Sequence, residues 1–152
     1  MNSIDVDTHE VTAFVRLLNS ASAGVTDEMR DATERATGML MNEARQMVRV
    51  RTGETRRMIG RTVRVVSGSA VGEVRSAAPW SRYLEHGRGP IEAAPGRVLR
   101  WVSPTGAVIY ARRVGPAAAQ PFMAPALAAT RIRIRAEYQG AVRKAMLKAL
   151  GA

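Results

Sequence analysis

The side chains able to do chemistry are few, and they do not gather. The two histidines, His9 and His86, stand too far apart in the chain to give a metal-ligand spacing. His86 follows Glu85, but neighbours in sequence do not face each other on a helix, so the pair does not read as an acid–base couple. Its expected role is structural, with Glu85 neutralising Arg82 or Arg88 across a short turn. Asp27, Glu28 and Asp31 read as the acidic first turn of a helix rather than as a catalytic group. Gly87-Arg88-Gly89 lacks the spacing of a phosphate loop and the strand that precedes one. The absence of cysteine removes disulfides, thiolate metal sites and a cysteine nucleophile. No Ser/His/Asp arrangement presents itself. The expectation is a protein that is not an enzyme, with no catalytic, cofactor-binding or metal residues.

Positive charge is what the chain has in plenty. Its 152 residues hold 23 Lys and Arg against 13 Asp and Glu, a formal net charge of +10. Only Lys144 and Lys148 are lysines. Such a balance suits an anionic partner, nucleic acid first. A solvated basic surface with a compositional bias toward Arg and Ala explains the same count. Aromatics make up 5%, so the core must be built from Val, Leu, Ile, Met and Ala. The length suits one domain over 1–152. Met1 to Glu10 carries Asp5, Asp7 and Glu10 and does not read as a signal peptide. No apolar run reaches the length of a membrane helix.

Spacing then supplies the elements. Val11, Phe14, Val15 and Leu18 predict a short helix over Asp7 to Asn19, capped by Asp7 or Thr8. A break at Ser20 to Gly24 makes 1–24 an N-terminal helical extension. A long helix follows from a Thr26 N-cap to about Val50, with Met29, Ala32, Ala36, Leu40, Ala44, Met47 and Val48 as its apolar stripe. Arg51 to Gly60 is a turn that Thr52 caps and Gly60 ends, with Gly53 in a conformation other residues resist. Arg61 to Ser67 and Ala70 to Ser76 form a hairpin around Ser67-Gly68-Ser69. Pro79 to Gly87 holds one or two helical turns. Arg88 to Gly96 is a loop, with 88–97 the most mobile segment. Val98 to Val102 and Val108 to Arg112 are strands joined by Ser103-Pro104-Thr105-Gly106. A linker from Val114 to Gln120 leads to a closing helix from Pro121 to Leu150. Its expected stripe is Met123, Leu127, Ile134, Tyr138, Ala141 and Ala145, with Phe122 and Leu127 anchoring it on the sheet. The fold class is α+β, a small antiparallel sheet of about four strands packed by a long N-terminal and a long C-terminal helix.

Three segments in order carry a resemblance: V-R-T-G-E-T-R-R-M-I at 50–59, A-P-W-S-R-Y-L-E-H-G-R-G-P at 78–90 and P-F-M-A-P-A-L at 121–127. Together they resemble the siphophage head–tail joining, or tail-completion, family typified by the lambda minor tail protein Z. The residues that carry it are Arg51, Thr52, Gly53, Arg56, Ile59, Trp80, Tyr83, Glu85, Gly87, Pro121, Phe122, Pro125 and Leu127. The chain departs from that pattern at Thr55, where leucine is usual, and at His86, where a bulky apolar residue is common. The resemblance implies a structural virion protein at the head–tail junction, made in the host cytoplasm. It would cap the tail as a homo-oligomeric ring, a hexamer, against the tail-tube protein and the neck or head-closure proteins, leaving a lumen for the genome. The loop residues Arg88, Gly89, Pro90 and Arg97 and the N-terminal helix are the expected interface elements. Arg131, Arg133 and Arg135 are the expected DNA-facing residues. The alternative is a sequence-independent DNA-binding protein working through its arginines.

Overall fold

The computed structural model describes residues 8–49 and 52–149, with the backbone alone for residues 8–23 and 149. The chain begins in one helix, α1, Thr8–Met47, 40 residues long. The break expected at Ser20 to Gly24 is absent. That stretch contains no proline and no glycine at positive φ. A mid-helix glycine costs only about 1 kcal/mol, too little to stop a helix flanked by alanines. Thr26 is consequently no N-cap but a mid-helix residue whose Oγ1 lies 3.5 Å from the Gly68 carbonyl. Asp27, Glu28 and Asp31 are not a first turn either. Glu28 is buried and takes the Lys144 ammonium at 2.9 Å.

The closing helix, α4, Met123–Ala149, lies antiparallel along α1. Glu28–Lys144, Thr33–Tyr138 (3.0 Å) and Arg35–Glu137 (2.7 Å) mark the register. The Glu137 carboxylate accepts from the Arg35 Nε and raises the guanidinium pKa further. At the other end Ala44, Val48, Ile59, Phe122 and Ala126 form a closed core, with Leu40, Met41, Val74, Leu84 and Met123 packed against it. Small residues dominate the helix contact: Ala32, Ala36 and Ala44 face Ala126, Ala141 and Ala145. The buried hydroxyls of Thr33, Thr37 and Thr130 donate back to their own helices at 2.7–2.8 Å, so these three groups are satisfied. The expected stripes shift accordingly. Met47 is partly exposed and Leu127 is half exposed, because Phe122 and Ala126 set the phase of α4 and seat it on α1. Gly140 sits within an unbroken helix.

A short turn of helix, α2, Glu54–Arg57, leads into β1, Ile59–Val66, which pairs with β2, Ser69–Ser76. Gly60 is therefore a strand residue, not the end of a turn. Ser67 and Gly68 both have positive φ (50° and 77°), the turn whose twist matches the flanking strands. One face of the hairpin lies on α1. The Arg61 guanidinium donates to the Glu34 carbonyl at 2.6 Å and Arg45 Nη2 to the Ile59 carbonyl at 2.7 Å. Gly72 lies so near the helix that a Cβ there would stand 2.5 Å and 2.6 Å from the methyl groups of Thr37 and Thr33.

After β2 come α3, Ser81–His86, then β3, Ile91–Glu92, β4, Leu99–Val102, β5, Val108–Ala111, and β6, Arg113–Val114. The fold is α+β with long helices at both ends of the chain. Its strands, however, do not join one sheet. Among the described residues they form three two-stranded antiparallel ladders, β1–β2, β3–β6 and β4–β5. The loop expected at Arg88 to Gly96 and the linker expected at Val114 to Gln120 are the two sides of a single arm. Arg88 and Ala117 exchange both backbone hydrogen bonds at 2.9 Å, Ile91 and Glu92 pair with Val114 and Arg113, and β4–β5 continue to the Ser103–Gly106 turn. Among the described residues no helix is long and apolar enough to cross a membrane.

Candidate functional site

The three sequence segments meet where α2, α3 and the head of α4 come together. Thr52 Oγ1 accepts weakly from the Glu54 N–H (3.4 Å), and Gly53, at φ 74°, is the N-cap of α2. Thr55 accepts the indole N–H of Trp80 at 2.7 Å, tying the first segment to the second. The Gln120 N–H donates to the Leu84 carbonyl at 2.7 Å, tying the second to the third. Arg49, Glu54, Arg56 and Trp80 line the open cleft between them. Ile59 and Phe122 lie fully buried beneath it, while Tyr83 and Pro121 are exposed. Arg51 lies outside the described residues.

Glu85 joins the parts. Its Oε2 accepts from the N–H groups of Phe122 (2.9 Å) and Met123 (3.1 Å), and its Oε1 from Ala124 (2.9 Å). These are the donors that a helix start leaves without partners. Pro125, in the first turn, has no N–H to satisfy. Burial pushes the Glu85 pKa up, but the three backbone donors outweigh it and hold the carboxyl below its ordinary value of 4.5. The expected pairing with Arg82 or Arg88 does not form. The carboxylate is turned to the helix, and Arg88 Nη1 donates instead to the Gly115 (3.2 Å) and Gly89 (3.3 Å) carbonyls. One residue on, Gly87 combines φ 74° with ψ −178°, backbone space that only glycine occupies readily. A Cβ there would meet the Ala117 carbonyl oxygen at 2.8 Å and the Ala119 nitrogen at 2.9 Å. The arm thus leaves the body at a fixed joint.

Gly89, Pro90 and Arg97 lie exposed along one side of the arm. Arg88 is anchored at its base rather than presented from a loop. Farther out, Trp101, Val102, Val108, Ile109 and Tyr110 are all exposed, on both faces of β4–β5. Arg131, Arg133 and Arg135 are exposed on α4, but helical geometry puts Arg133 on a side different from the other two, so they are not one patch. Among the described residues no group of His, Cys, Asp and Glu is placed to hold a metal. The arrangement builds a joint and an arm.

The sequence model of one family, described as "Bacteriophage HK97-gp10, putative tail-component", matches residues 12–87, half of the chain, from α1 through α3. The chain belongs to this family of phage tail components. No curated protein and no solved structure matches it. The match takes in the first segment and the second as far as Gly87, the joint; the arm and α4 lie beyond it. The Thr55–Trp80 bond has no signal in the sequence. The role of Glu85 has one: Gln120-Pro121-Phe122 offers α4 no capping side chain of its own, so a cap must come from elsewhere.

Proposed function

We infer that this phage tail component is a ring-forming tail-completion subunit of the lambda Z-like kind, working by shape rather than by catalysis. The supporting observation is the arm. A two-stranded hairpin is marginal in water unless something covers it. Here Trp101, Val102, Val108 and Tyr110 stand exposed, with Tyr110 at 62%. Apolar surface held out on a fixed joint suits burial against a neighbouring subunit or virion protein. A closed ring supplies that neighbour to every copy, through heterologous contacts. Six copies at the top of the tail would seal the tube and offer a surface to the neck or head-closure proteins. The lumen would let the genome pass, touching phosphate without reading sequence. The protein would then reside in the virion, after assembly in the host cytoplasm.

The ends of the arm make the test simple. Arg88 and Ala117 are bonded neighbours, so excising 88–117 and closing the gap with a short Gly-Ser linker removes the arm and leaves the helical body intact. The expected outcome is a folded protein, by circular dichroism and cooperative melting, that fails to complement a phage lacking the gene. Joined, infectious particles made with the armless protein would contradict the proposal.

A further inference from the structure

We propose that the first four turns of α1 dock along the outer face of α4 in a neighbouring copy of this chain, making a second contact of the ring. The inference rests on the ring reading and adds a named contact to it.

Among the described residues, the elements packed on α1 stop short of its N-terminal end. Glu28 stands beside Lys144, so Ala149, the last described residue of α4, falls near residue 23 of α1. The tip of the β1–β2 hairpin reaches Thr26 through Gly68. From there α1 continues to Thr8, an overhang of about 15 residues or ~22 Å. Val11, Phe14, Val15 and Leu18 stand about five turns ahead of Met29, Ala32, Thr33 and Ala36, at the same helical phase. Of those four, Ala32, Thr33 and Ala36 are buried. The apolar sequence pattern therefore runs on in phase past the point where the described residues of α4 and of the hairpin end.

The complementary surface is on α4. Its inner side is buried on α1, yet its opposite side also carries large apolar residues: Ile132 is 82% exposed and Met146 61%, with Val142 between them. Tyr138, Val142, Met146 and Leu147 line a shallow trough flanked by Arg135 and Arg143. A helix apolar on both sides is one covered on both sides. Ile132 to Met146 spans about 21 Å, the length of the overhang. The charges match as well. Residues 1–10 hold Asp5, Asp7 and Glu10 with no Lys or Arg, while α4 presents Arg131, Arg135 and Arg143. A chain of net charge +10 has few acidic stretches to set against that face, and its own N-terminal segment is one.

The absence of cysteine makes the contact directly testable. Phe14→Cys and Gln139→Cys, each midway along its segment, are made in separate full-length chains and mixed under mild oxidation. The expected result is a disulfide-linked dimer in the mixture and in neither chain alone. In parallel, light scattering after size-exclusion chromatography compares the full chain with a deletion of residues 2–19 and with Ile132→Asp/Met146→Asp. The full chain is expected to be oligomeric and both variants to fall to smaller species with unchanged melting midpoints. A full chain that stays monomeric overturns the inference. So does an oligomer that survives both changes without a mixed cross-link, but that result leaves the ring reading standing on the arm. Normal virions from a phage lacking the gene would remove both.

Discussion

The Glu85 carboxylate accepts three backbone N–H groups at the head of α4, a cap delivered from 37 residues away in sequence. Glu85→Gln removes the charge and at least one of these bonds, and should cost about 1–2 kcal/mol in urea unfolding at neutral pH. The pH dependence follows from the depressed pKa. The cap's contribution is fully present above the unfolded value near 4.5 and is lost as pH falls through the lower folded value. The gap between wild type and Glu85→Gln should therefore hold from pH 7 to about 5 and shrink on further acidification. A gap that widened in acid would refute the assignment. Gly72 makes a second prediction at this scale. Gly72→Val places branched carbon where Thr33 and Thr37 already stand and should destabilise by about 1–3 kcal/mol or more, read from the melting midpoint. A mid-strand glycine does signal close backbone approach in a sequence, but not which helix approaches. That partner is set by the packing of a hairpin on a helix far away in the chain.

At the scale of elements, α1, the β1–β2 hairpin, α3 and α4 were legible because each carries its own periodicity or turn chemistry: Ser67-Gly68 names its turn, and Pro121 and Pro125 mark a helix start. The continuity of α1 was not, since Ser20 to Gly24 has the composition of a break and only the unbroken backbone overrides it. Of the arm, the β4–β5 hairpin was legible from its strands and its Ser103–Gly106 turn, but the paired base was not. Gly89, Pro90, Pro95 and Gly96 read as a loop, and the pairing of Ile91 and Glu92 with Val114 and Arg113 is a non-local match that no window in the sequence contains. The arm's apolar residues carry the next prediction. Trp101→Ser/Tyr110→Ser should leave secondary structure and melting of the body unchanged while abolishing oligomers in chromatography. A double variant that assembles normally would show that the arm's outer faces do not form the contact.

Across the molecule, the interior is modest and many large apolar side chains of the described residues lie outside it. Alanines and threonines fill the α1–α4 contact, and among the described residues only Ile59 and Phe122 of the large apolar side chains are completely enclosed. Large side chains such as Tyr110, Ile132 and Met146 lie outside. Such a distribution suits a subunit whose remaining burial comes from its neighbours. It also explains why the motif residues were legible as fold determinants while the proposed assembly surfaces were not: Ile59, Glu85, Gly87 and Phe122 make their contacts within one chain, whereas the arm and the outer face of α4 are proposed to make theirs between chains. The central claim, that the protein completes the tail and joins it to the head, is tested most directly by negative-stain microscopy of particles from a phage carrying an amber mutation in this gene. The account predicts full heads and separate tails, rejoined when the wild-type protein is supplied. Intact, joined virions in its absence would contradict it.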